Sequence, residues 1–76
     1  MITIRFFGQL TEITGRPTLE KEDSVDTDEL IRLLEQQYPA LKESRYKIAV
    51  NRNIVQSNTA LQAGAEVALL PPFSGG

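Results

Sequence analysis

One stretch of this chain has a helical period, and nearly every other apolar run alternates. Leu30, Ile31, Leu33, Leu34 and Tyr38 fall on one helical stripe. Asp26 followed by Glu29 resembles a capping box with Asp in the Ser/Thr place, and Val25 and Leu30 occupy the two hydrophobic-staple positions. Pro39 stops the pattern, because the residue before a proline avoids helical angles. The spacing predicts one helix of about three turns. Ahead of it, Ile2-Thr3-Ile4-Arg5-Phe6-Phe7 has period two until its last residue. Ile2, Ile4 and Phe6 then share one face of a strand, and Thr3, Arg5 and Phe7 the other. Gly8 closes that strand, and Gln9 to Gly15 reads as a loop or a single helical turn. Arg16 to Glu22 is a weaker strand, since Pro17 lacks a ladder donor and tolerates only a start or an edge. After the helix, Tyr46, Ile48 and Val50 alternate with Lys47 and Ala49; Asn51-Arg52-Asn53 is turn chemistry; Ile54-Val55 is a short strand; Glu66 to Leu70 is the last strand. Segregated helix and strands define an α+β class, one main helix packed across one face of a twisted sheet whose other face is open.

Size and composition restrict what such a domain does. Its 76 residues make one small domain, whose core is too limited to surround a deep ligand cavity. The chain has no Cys and no His, which removes disulfides, thiol chemistry, imidazole acid–base work and nearly every zinc site. No metal site is expected. Walker A, GxGxxG and HExxH patterns are absent. A carrier or binding module is favoured over a self-sufficient enzyme. The formal charge of −2 is not the footprint of a nucleic-acid binder. Glu12 to Glu35 holds eight acids and three bases, whereas Lys42 to Arg52 holds four bases and one acid, so the two regions steer different partners or form two solvated faces. The first apolar run is neither a signal segment nor a membrane span, and a cytoplasmic location without membrane contact is the expectation.

The chain ends Leu70-Pro71-Pro72-Phe73-Ser74-Gly75-Gly76. Two prolines favour extended geometry, so residues 71–76 are expected to project from a domain spanning 1–70 as an arm reaching roughly 20 Å. Gly75 and Gly76 have no side chains, which suits a carboxylate threaded down a channel too narrow for any Cβ. A frayed terminus is the alternative.

Phe6-Phe7, Asn51 at the central turn, and Gly64-x-Glu66-Val67-Ala68 running into Leu70-Pro71-Pro72-x-Ser74-Gly75-Gly76 together resemble the small, sulfur-carrying subunit of molybdopterin synthase. The resemblance spans nearly the whole chain and is most specific at the Pro-Pro-x-Ser-Gly-Gly ending. This chain departs from the usual pattern at Gly8, Thr11, Ala65 and Phe73, where Ala, Arg, Asp and Val are common. The resemblance implies a ubiquitin-like β-grasp, with a mixed sheet of four to five strands whose first and last are parallel neighbours. It also implies that the Gly76 carboxylate is adenylated by a separate E1-like enzyme using ATP, then converted to a thiocarboxylate. That group donates sulfur to a cyclic pterin precursor inside a large catalytic subunit. Alone the chain is not catalytic, and it binds no cofactor of its own.

Strand parity places Phe7, Ala68 and Leu70 on the open face, and parallel first and last strands bring Phe7 and Leu70 to the arm's root. Phe7, Leu70, Pro71, Pro72, Phe73 and Ser74 are accordingly the expected partner-binding residues, with Gly75 and Gly76 the reacting end. Ser74 lacks a base to activate it and reads as a small residue that fits a channel. Lys47 and Arg52 either meet acidic groups or are solvated strand-edge charges. Three other functions share the pattern: a carrier for thiazole assembly or transfer RNA thiolation, a ubiquitin-like protein modifier, and an interaction domain with an idle tail.

Overall fold

A computed structural model describes residues 1–72; Phe73, Ser74, Gly75 and Gly76 lie outside the described residues. The elements are β1 (Ile2–Phe6), α1 (Gln9–Thr14), β2 (Thr18–Lys21), α2 (Thr27–Gln37), a 3-10 helix (Pro39–Glu43), β3 (Lys47–Val50), β4 (Asn53–Val55) and β5 (Glu66–Leu70). The sheet order is β2-β1-β5-β3-β4, with β1 and β5 parallel and the other neighbours antiparallel. First and last strands thus sit side by side at the centre, and one main helix covers one face. This is the β-grasp arrangement.

Alternation decides which side of each strand is dry. Ile2, Ile4 and Phe6 of β1 and Val67 and Leu69 of β5 are buried together with Leu30 and Leu34 of α2. Leu10 of α1 and Leu41 of the 3-10 helix belong to the same cluster. Each such side chain contributes about 1.5–3 kcal/mol through burial, so this single layer is the main favourable term. Tyr38 meets Phe6 edge-on at a centroid separation of 6.4 Å, tying the end of α2 to β1.

The Asp26 carboxylate caps α2, accepting the Glu29 N–H at 2.9 Å, while Glu29 reaches back to the Val25 N–H at 2.9 Å. The staple is not formed: Val25 is 66% exposed while Leu30 is fully buried. Backbone bonds set the approach to α2 instead, from Thr27 N–H to the Thr59 carbonyl and from Leu61 N–H to the Val25 carbonyl. Leu33, placed on the stripe by its spacing, lies at the exposed rim of α2. Pro39 ends α2 but starts the 3-10 helix, where a proline at the first position lacks no needed donor. Lys47 is not on an edge, because β3 runs between β5 and β4; the edges are β2, which follows Pro17, and β4.

Candidate functional site

The face of the sheet away from α2 holds the candidate site. Register aligns Arg5, Ala68, Ala49 and Ile54 in one row across β1, β5, β3 and β4. The next row toward the arm holds Leu70 opposite Lys47, with Phe7 just beyond β1. Ala49 and Ala68 are too small to fill their row, so they form the floor of a shallow depression. Phe7 and Leu70 wall it on one side and Ile54 on another. Phe7 is 43% and Ile54 55% exposed.

The far end of the depression is charged. The Arg5 guanidinium Nε donates to Glu66 Oε2, and Arg52 approaches the other carboxylate oxygen at 3.9 Å. Arg52 is almost wholly exposed, so its pair with Glu66 contributes little and its charge is presented to solvent. The Asn51 side-chain oxygen accepts the Glu66 N–H at 3.0 Å, joining the β3–β4 turn to β5. Asn51 and Arg52 both adopt positive φ, 49° and 73°, as a two-residue type I′ hairpin requires. That tight turn sets Ile54 opposite Ala49, and so onto this face.

Of the residues singled out in the sequence, Phe7 and Leu70 both line the depression. Pro72 is half-buried beside α1 and the 3-10 helix, and Pro71 is buried, so domain packing extends one residue further than 1–70. Phe73, Ser74, Gly75 and Gly76 lie outside the described residues. Sequence reasoning missed Ile54, Ala49 and Arg5. Their signal was the cross-strand register, which follows once the Asn51-Arg52 turn is taken as two residues long. Lys47 is exposed on the same face, next to Leu70.

A second groove runs between the start of α2 and β4, and several of its polar groups bond within the fold. The Asn58 side chain accepts from the Asp28 N–H at 2.9 Å and donates to Asp26 at 3.1 Å. With the Glu29 N–H first in size and Asn58 second, these bonds hold the Asp26 carboxyl below the usual carboxylate range. The Tyr46 hydroxyl donates to Glu35 at 3.0 Å; desolvation, then that bond and the Glu35 charge, raise its pKa above the ordinary phenol value. Both are structural features of the covered side of the fold.

Comparison with known proteins adds identity to this geometry. Residues 4–76 match the model of the ThiS family. The molybdopterin synthase sulfur carrier subunit of Mycobacterium tuberculosis is 34% identical over 80 residues, covering 99% of this chain and 96% of that protein. The corresponding subunit of Escherichia coli is 32% identical, with both chains covered completely. Among solved structures, small archaeal modifier protein 1 of Methanosarcina acetivorans superposes with a TM-score of 0.82 at 26% identity, over 99% of this chain and 95% of that one. A protein–protein complex of subunits 1 and 2 of the molybdopterin-converting factor from Helicobacter pylori contains a chain with a TM-score of 0.72 and 33% identity, covering 99% and 97%.

Proposed function

The chain belongs to the ThiS family, and from that premise we propose that it is the sulfur-carrying subunit of a molybdopterin synthase. The observation that carries this reading is its end-to-end similarity to sulfur carrier subunits, running into the Pro71-Pro72-Phe73-Ser74-Gly75-Gly76 ending.

A carboxylate is ionised at neutral pH and is a poor electrophile. In the proposed cycle, an oxygen of the Gly76 carboxylate attacks the α-phosphate of ATP on an E1-like enzyme, and the bond to pyrophosphate breaks. Such in-line transfer depends on positioning and charge stabilisation, which that enzyme supplies. Sulfide from a donor then attacks the acyl carbon and displaces AMP, leaving a thiocarboxylate. Its sulfur is anionic and polarisable, and nucleophilic for the reasons a thiolate is. Inside the large subunit this sulfur attacks a carbon of a cyclic pterin precursor, and a C–O bond at that carbon breaks, its oxygen leaving with a proton from the partner's acid group. Water then cleaves the acyl–sulfur bond, regenerating the Gly76 carboxylate. The chain supplies the reacting atom and its partner the acid–base groups.

The open sheet face is the docking surface in this reading. Phe7, Ile54 and Leu70 give it apolar anchors, and Arg5, Arg52 and Lys47 give it positive charge, so the complementary surface on the large subunit is apolar with an acidic margin. Phe73 and Ser74 continue that contact along the arm. The test is intact-mass analysis after incubation with ATP, an activating enzyme and a sulfide source. Exchange of one terminal oxygen for sulfur supports the proposal, and an unchanged mass under conditions that convert a known carrier contradicts it.

The likeness to small archaeal modifier protein 1 favours a second reading, conjugation of Gly76 to lysines of other proteins. Higher-mass conjugates in a lysate that disappear when Gly75 and Gly76 are deleted would mark that activity.

A further inference from the structure

Gly8 lies where β1 passes into α1, beside the point where β5 passes into the arm. Phe7 to Leu10 form a tight turn, the Leu10 N–H donating to the Phe7 carbonyl at 3.2 Å. Gly8 has φ 58° and ψ −138°, the first central position of a type II′ turn. It is also the N-cap of α1, and it makes no side-chain cap there, although Ser, Asp or Asn would satisfy an extra donor. The positive φ already disfavours a side chain at this position, and space adds a second obstacle. A Cβ on Gly8 would stand 2.7 Å from Cγ of Pro71, closer than real Cβ contacts allow. Gly15 and Gly64 also have positive φ, but a Cβ at either meets nothing within 4 Å. Only at Gly8, among the glycines of the described residues, is the missing side chain occupied by another residue. Pro71 is buried there, and the Phe7 N–H donates to the Leu69 carbonyl at 3.2 Å just before it.

We infer that Gly8 and Pro71 form a seat that sets the direction in which the chain leaves β5, making Gly8 a positioning residue for the chemistry at Gly76. The inference rests on the carrier reading in one respect, that the arm reacts at its tip. The seat fixes where the last residues of the chain start, within a contour length of roughly 20 Å of the reacting end. Misplacement of a reacting group by even about 1 Å costs up to about a hundredfold in rate. The proline ring fixes its own φ, and Gly8 lets that ring sit flush against the turn.

A double-mutant cycle tests this with two readouts. The chain has no cysteine, so spin labels at Glu20→Cys and Ser74→Cys report the distance from the sheet edge to the arm without other labelled sites. Gly8→Ala is expected to shift or broaden that distance distribution more when Pro71 is present than in a Pro71→Ala background, where the ring is gone and only the strain of the positive φ remains. On unlabelled protein, Gly8→Ala is expected to lower kcat for C-terminal adenylation by about tenfold to a hundredfold. KM for the carrier is expected to change less than kcat, since Gly8 does not line the depression of the sheet face. Equal shifts of the distance distribution in both backgrounds would assign the effect to the turn's backbone alone and overturn the seat. An unchanged kcat in Gly8→Ala with an active parent overturns the positioning role. A parent chain that is never adenylated overturns the carrier reading, and the distance cycle then still decides whether the seat exists.

Discussion

At Phe7, binding and folding are expected to separate. It follows a strand whose other large side chains, Ile2, Ile4 and Phe6, are buried, yet its own ring is 43% exposed on the opposite face. Phe7→Ala is therefore expected to weaken affinity for the large synthase subunit by about tenfold or more, as truncation of a central aromatic anchor does. The melting temperature is expected to move little; calorimetric titration and a thermal melt check both, and a large thermal loss with intact affinity would reverse the assignment. Tyr46 makes the opposite case. Its pKa is raised in the fold and ordinary when unfolded, so its contribution is fully present below about pH 10 and is lost as pH rises beyond that. Tyr46→Phe is expected to flatten the alkaline limb of the stability profile, measured by denaturant titration between neutral and strongly basic pH. Arg52 carries a third residue-scale prediction. At φ 73° it occupies a position that favours glycine, and its exposed pair with Glu66 contributes little. Arg52→Gly is expected to stabilise the domain by up to about 1 kcal/mol in a thermal or denaturant melt, and to weaken docking if the positive margin of the face is used.

At the scale of elements, the strands and the main helix were legible because each is dominated by one periodicity. β5 matches its alternating segment Glu66 to Leu70 residue for residue, and α2 begins at the Asp26 cap and ends before Pro39. Four features were not legible, each for a physical reason. The staple at Val25 gives way to tertiary backbone bonds from Thr59 and Leu61, which no local pattern encodes. The 3-10 helix Pro39–Glu43 is short, with Leu41 as its one buried residue, too few for a period. Lys47 read as an edge charge because strand order is a property of the sheet and not of any one strand. Gly8 read as a strand terminator, since its meeting with Pro71 spans most of the chain. The knot at the start of α2 is the element-scale prediction. Asn58 bonds both Asp26 and the Asp28 N–H across a loop, so Asn58→Ala is expected to cost about 1 kcal/mol. In a domain of this size that lowers the melting temperature by about 4–8 °C, read by circular dichroism.

For the molecule as a whole, the fold divides its labour between two faces of one sheet. The side under α2 supplies stability, and the other offers Phe7, Ile54 and Leu70 beside a charged margin and the root of the arm. Because β1 and β5 are parallel and adjacent, the apolar anchor and the start of the arm come to the same end of the sheet. The site's position was legible from parity at Phe7 and Leu70, while its breadth across Ala49 and Ile54 needed the register. The account turns on the proposal that Gly76 is chemically activated while the domain serves as its handle. Intact-mass analysis of the wild-type chain, with a Gly75-Gly76 deletion in parallel, tests this most directly. The account predicts that the wild type exchanges a terminal oxygen for sulfur in the presence of ATP, activating enzyme and sulfide, and that the deleted chain melts normally but stays unmodified; modification of both chains alike, or of neither where a known carrier reacts, would contradict it.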